Sequence, residues 1–148
     1  MGLKIINAAI KQADLASMQD NLQKMFTQVS KEIGNCHANL KFISEKEMQD
    51  LNQEFRGKNA CTNVLAFPND TFNEDKFLGD IAICFDYCNR EALEQKKSIQ
   101  DHITHMLVHA LLHLMGYDHQ TKDEAVKMEE LEIEILTQHN IPNPYNLI

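Results

Sequence analysis

Three histidines, His109, His113 and His119, lie at i, i+4 and i+10, with Gly116 between the second and third. On a helix, residues four apart share a face with their Cβ atoms about 5–6 Å apart, so His109 and His113 can bind one metal ion. A third ligand cannot come from the same straight helix: His105 and His113 are eight residues apart, about 12 Å along the axis. The chain has to stop and fold back. Gly116 supplies the stop, because glycine adopts the left-handed conformation that closes many helices, and His119 then returns towards the pair. Three protein ligands with one position left open is the arrangement of catalytic zinc, whereas structural zinc is closed by four.

The spacing reads H-x-x-x-H-x-x-G-x-x-H, the skeleton of the metzincin proteases. Those enzymes carry glutamate directly after the first histidine, as the base that activates water. Here that position holds Ala110. The pattern therefore predicts the metal cage and argues against peptidase chemistry through that base.

The elements that position these side chains follow from periodicity and punctuation. Residues 3–7 form a short apolar stretch that can open a sheet. From Asp14, a helical stripe of Leu15, Met18, Leu22, Met25, Phe26, Val29 and Ile33 runs to Gly34 and Asn35. Residues 39–44 read as a strand, and Ser44 with Glu47 makes a capping box for a helix through Met48, Leu51 and Phe55 that ends at Gly57. Residues 62–68 and 80–85 are rich in β-formers and read as two central strands covered by helices, with polar residues 69–76 as the loop between them. Asp86 is placed to cap a short helix towards Gln95. Ser98 with Asp101 opens the helix that carries His102, His105, His109 and His113 on one side, with His102 at the surface near its start. Thr121 with Glu124 caps the last helix, whose stripe is Ala125, Met128, Leu131 and Ile135. Glu129, Glu130, Glu132 and Glu134 read as its solvated acidic face. Pro142 and Pro144 mark a C-terminal tail. The expected fold is α+β: a single domain over residues 1–148, with a small mixed sheet of about four strands packed with about five or six helices.

The 148 residues are enough for one domain with a core, and 43% of them are hydrophobic, which excludes a disordered tail. No apolar run approaches the roughly 18 residues of a membrane span, and the N-terminus lacks a signal-peptide core and a myristoylation pattern. Cys36, Cys61, Cys84 and Cys88 form no C-x-x-C pair and read as buried free thiols of a reducing compartment. These features predict a soluble cytoplasmic protein. The formal charge of −8 excludes a protein that coats nucleic acid by bulk attraction, so a nucleic-acid enzyme of this composition needs a local positive charge.

Arg56, Gly57 and Lys58 place such charge at a helix end. It can serve the helix dipole, or the guanidinium can grip a phosphate with two hydrogen bonds. With Leu51-Asn52, Phe55-Arg56-Gly57-Lys58, Thr62-Asn63-Val64-Leu65, Phe67-Pro68, Gly79-Asp80-Ile81 and residues 109–119, the whole chain resembles the YbeY family, bacterial zinc-dependent endoribonucleases involved in ribosomal RNA maturation. It departs from the usual family residues at Ala110, Cys61 and Ala66, where glycine, proline and serine are the rule. The resemblance implies that His109, His113 and His119 bind Zn2+ and that Arg56 is essential. It implies action on single-stranded RNA in 3′-end maturation of small-subunit rRNA and in ribosome quality control. The implied partners are the small ribosomal subunit, ribosomal protein and a GTPase, with neither membrane nor DNA. The general base is open between Asp80 and Asp118. Asp118 can instead orient a histidine, and His105 is either a donor behind a ligand or a satisfied buried histidine. Two other functions compete: a metallopeptidase or amidohydrolase on the same cage, and a non-enzymatic ribosome assembly factor in which zinc holds the fold.

Overall fold

The computed structural model describes residues 2–69 and 76–145. Its elements are β1 (Gly2–Asn7), α1 (Gln12–Val29), β2 (His37–Phe42), α2 (Glu45–Arg56), β3 (Val64–Pro68), β4 (Phe77–Ile83), α3 (Phe85–Glu94), α4 (Ile99–Leu114) and α5 (Lys122–Gln138). Among the described residues they give one mixed sheet in the order β1-β2-β4-β3, with β1, β2 and β4 parallel and β3 antiparallel to β4. This is the expected α+β architecture, with five helices. Most of the expected loop at residues 69–76 lies outside the described residues.

The strand pattern differs from expectation at one place that matters for the site. Residues 62–68 read as a central strand, yet β3 pairs only with β4 and is an edge. Val64 and Ala66 pack on one core and Leu65 and Phe67 on the other, so apolar contact on both faces mimics a central strand. Pro68 at its end suits an edge, where a missing N–H costs nothing.

The sheet separates two cores. Ala38, Leu40, Phe42, Ile81 and Ile83 share the larger core with α1 and α4, with α5 packed on α4, while Ile43, Leu65, Ala82 and Cys84 share the smaller with Met48 and Leu51 of α2. Helix α4 lies at the centre of the larger core: eleven of its sixteen residues are buried, as expected for a helix that is apolar nearly all round. The Ser98 hydroxyl caps it by accepting from the Asp101 N–H at 3.0 Å. At the other end, Tyr117 N–H bonds the Leu112 carbonyl and Gly116 N–H the His113 carbonyl, both at 3.0 Å, with Gly116 at φ +100°. That is a Schellman closure, and it makes the chain turn back where the histidine spacing requires.

Several boundaries move. α1 stops at Val29 with Ser30 as its C-cap, and Ile33 packs from the following turn. α3 begins at Phe85 with Cys84 before it, so Asp86 sits inside the first turn and acts on the helix dipole rather than as a cap.

β4 carries a bulge: His37 pairs with Phe77 and Asn39 with Asp80, so Leu78 and Gly79 face Ala38 alone. Gly79 has φ +144°, and a Cβ there would stand 2.3 Å from the Phe67 carbonyl oxygen and 2.9 Å from Leu114. Gly79→Ala is expected to push β3 away from β4 and to lower stability by about 2–4 kcal/mol, read as a lower midpoint in urea. An unchanged midpoint would show that the β3–β4 ribbon tolerates separation.

Candidate metal centre

Helix α4 and its Schellman turn bring His109, His113 and His119 together. One ligating nitrogen from each lies within 4.8 Å of the others. The rings of His109 and His113 are 4.7 Å apart between centroids, those of His113 and His119 4.9 Å, and those of His109 and His119 5.6 Å. His109 Nε2 and His113 Nε2 are 3.2 Å apart; two nitrogens on one tetrahedral zinc are separated by about 3.3 Å. No fourth side chain joins this group among the described residues. Burial, then the neighbouring imidazoles, hold His113 below the ordinary histidine range, so it offers a lone pair at neutral pH. The donor set therefore fits a cation that keeps an open side.

The residue that orients the cage came from the stretch read as a solvated acidic face. Glu132 on α5 is only 1% exposed. Its Oε1 accepts from His109 Nδ1 at 3.1 Å and from His105 Nε2 at 2.8 Å. Burial opposes its ionisation, but the hydrogen bonds from His105 and His109 win and bring its pKa down to about 2. An anion at that point takes the Nδ1 proton of His109 into a hydrogen bond and leaves Nε2 free for a metal. His105 thus acts on the cage through Glu132. Its own Nδ1 is buried without a partner, which suits the unprotonated nitrogen. His102, expected at the surface, is 3% exposed and donates through Nε2 at 2.9 Å to Glu91 of α3, a helix that covers the start of α4.

The cage opens into a groove of about 830 Å³ along β3, lined also by Arg56, Phe55, Phe67, Tyr117 and Asp118. Arg56 is the last residue of α2, and Gly57 in the left-handed conformation ends the helix there. Among the described residues Arg56 has no ion-pair partner, so its guanidinium is available to the groove. Asp118 lines the groove, and its Oδ1 accepts from the His119 N–H at 2.7 Å. Asp80 does not line it: it lies on the sheet face of Ala82 and Cys84 and accepts from Asn39 at 3.0 Å. Ala110 lines the groove at 1% exposure, where the metzincin base would stand.

A second group, Cys88, Glu91 and His102, also has its ligating atoms within 4.8 Å of one another. There the carboxylate already accepts from His102 and Asn63, and burial raises the Cys88 thiol far above its usual range. We read it as a hydrogen-bond network between α3, α4 and the start of β3.

Among the described residues, a cage of three imidazoles with one open side and an unpaired guanidinium lining the same groove suit hydrolysis of an anionic ester. Comparison with known proteins narrows this class. The family model described as Endoribonuclease YbeY matches residues 4–140, and the chain belongs to that family of nucleases. A protein named Endoribonuclease YbeY from Acinetobacter baumannii is 43% identical over 142 residues, covering 89% of this chain and 90% of that one. One of the same name from Alteromonas mediterranea is 51% identical over 116 residues, covering 77% and 73%. A solution structure of a Thermotoga maritima protein superposes with a TM-score of 0.59 at 28% identity, covering 93% of this chain and 91% of that one. No helix among the described residues is long and apolar enough to cross a membrane.

Proposed function

We propose that the chain is a single-domain, zinc-dependent endoribonuclease specific for single strands, acting in 3′-end maturation of small-subunit ribosomal RNA and in ribosome quality control. The small ribosomal subunit, a ribosomal protein and a GTPase are its partners, and the cytoplasm is its place. The observation that carries the reading is that the three-histidine cage and Arg56 line one groove. His109, His113 and His119 would hold the ion, and three imidazoles suit zinc among other divalent metals. When bound, the ion supplies a positive charge that draws electrons from a phosphodiester oxygen or a water.

The chain's own residues do the rest. Glu132 fixes the His109 ring and its tautomer. Arg56 binds the non-bridging phosphate oxygens and stabilises the charge that builds on them. Among the described residues Asp118 is the carboxylate that lines the groove, and it takes the proton of the attacking oxygen. Phe55, 58% exposed with its ring edge-on to Phe67 at 5.1 Å, offers a stacking face for an unpaired base. A duplex hides its base faces, so this platform supports the single-strand reading. The protein's charge of −8 is compatible with RNA because the contact is local.

The absence of a glutamate at position 110, and of a fourth ligand among the described residues, weighs against the peptidase and structural-zinc readings. The test is cleavage of a short end-labelled single-stranded RNA by purified protein of known metal content. Cleavage is expected to stop on chelation and to return with added zinc, while the same RNA in a duplex and a casein substrate stay intact. Chelator-resistant cleavage, or casein digestion without RNA cleavage, would overturn the proposal.

A further inference from the structure

Residues 139–145, beyond α5, do not run off as a tail. Asn140, at φ +62°, reverses the chain, and the Ile141 N–H bonds back to the Leu136 carbonyl at 2.9 Å. Residues 141–145 then run back past α5. Pro142 and Pro144 restrict the backbone of this strap, and the Asn143 side chain accepts from the Tyr145 N–H at 2.8 Å. The result is a short rigid segment that ends beside Glu132. The Tyr145 hydroxyl lies 3.0 Å from Glu132 Oε2 and 3.1 Å from Oε1, and its ring meets His105 edge-on at 5.5 Å.

We propose that Tyr145 is a positioning residue for the cage, through which the C-terminal strap sets how tightly the three histidines retain their metal. The proposal rests on the metal-site reading above. Its physical basis is the division of donors on Glu132. Among the described residues Oε1 takes His105, His109 and a share of Tyr145, whereas Oε2 has Tyr145 alone. Without that hydroxyl a carboxylate that is 1% exposed keeps one oxygen unsatisfied, and an unpaired buried acceptor is costly enough to make the group rotate or admit water. Either movement releases the Nδ1–H of His109, whose ring then samples both tautomers. A histidine whose Nε2 is intermittently protonated is a weaker ligand. A packing role alone predicts something else: the phenyl ring without its hydroxyl would keep the strap in place and leave the cage unaffected.

Tyr145→Phe separates the two. Zinc affinity is measured by competition with a chromophoric chelator, and the His109 tautomer in metal-free protein by its ring 15N shifts. The parent protein is expected to bind one zinc and to show His109 protonated on Nδ1 alone. Tyr145→Phe should weaken zinc binding about three- to tenfold and give averaged ring shifts. Glu132→Gln, which removes the direct partner, should weaken it by about 10–100-fold. If the parent binds zinc and Tyr145→Phe binds it equally with unchanged His109 shifts, the positioning role is wrong while the metal site stands. If the parent binds no zinc, the metal-site reading fails and takes the retention role with it.

Discussion

His113→Ala protein is expected to fold, to lose its bound metal, and to cleave single-stranded RNA slower by a factor on the order of 10³ or more. The size follows from what the ion contributes: a Lewis acid at the reacting phosphate is worth several kcal/mol of transition-state stabilisation, and each 1.4 kcal/mol or so is tenfold in rate. His113 lies mid-face in the cage, with ring neighbours on both sides at 4.7 and 4.9 Å; its removal leaves two imidazoles and no preformed site. The fold should survive for reasons equally local. Alanine is the best helix former, the side chain borders the groove rather than the deep core, and the Schellman closure uses the backbone carbonyl of His113 and not its ring. Metal content per chain, read beside the circular dichroism melt, checks both halves. A folded variant that still holds one tightly bound ion would move the metal elsewhere, with Cys88, Glu91 and His102 as the other group able to take it.

What could be read from the chain was what local spacing encodes. The i, i+4 pair on α4, the glycine that reverses the chain and the third histidine form one contiguous motif, and Schellman geometry at Gly116 turns the spacing into convergence. The residues behind the cage are of another kind. Glu132 shares α5 with Glu129, Glu130 and Glu134, and charge alone groups them. The available signal was position: Glu132 stands four residues from Met128 and four from Leu136, both buried, so it falls on the inner stripe of α5. Only the packing of α5 on α4 shows that its carboxylate meets His105 and His109 there. His102 shows the same limit, since its burial depends on how α3 covers the start of α4. Asp80 failed in the opposite sense. It sits beside family-like residues in sequence, but strand alternation turns it to the face away from the histidines. The strand order that makes β3 an edge, and so opens the groove, is a long-range pairing that no local pattern specifies.

Arg56→Ala is expected to keep the metal and the fold and to lose cleavage by about 10²–10³-fold, the scale of removing one preorganised donor from a developing oxyanion. The stability cost should be small. Arg56 is exposed at the end of α2, and its benefit to the helix dipole at such a site is about 0.3–1 kcal/mol. The loss should fall on kcat more than on KM if the guanidinium meets charge that grows in the transition state. Binding should change in a second, independent way. Each phosphate neutralised on a single strand contributes about −0.7 to the slope of log K against log salt, and Arg56 is the groove's cationic side chain of permanent charge among the described residues. Its removal should therefore flatten that slope by about 0.7. Arg56→Lys restores the charge but not the planar fork, so it should recover the salt slope while leaving most of the rate defect. Normal cleavage by Arg56→Ala protein would place phosphate recognition in other residues. Loss of cleavage together with loss of metal would instead mean that Arg56 supports the cage, and the separation of roles between α2 and α4 would fail.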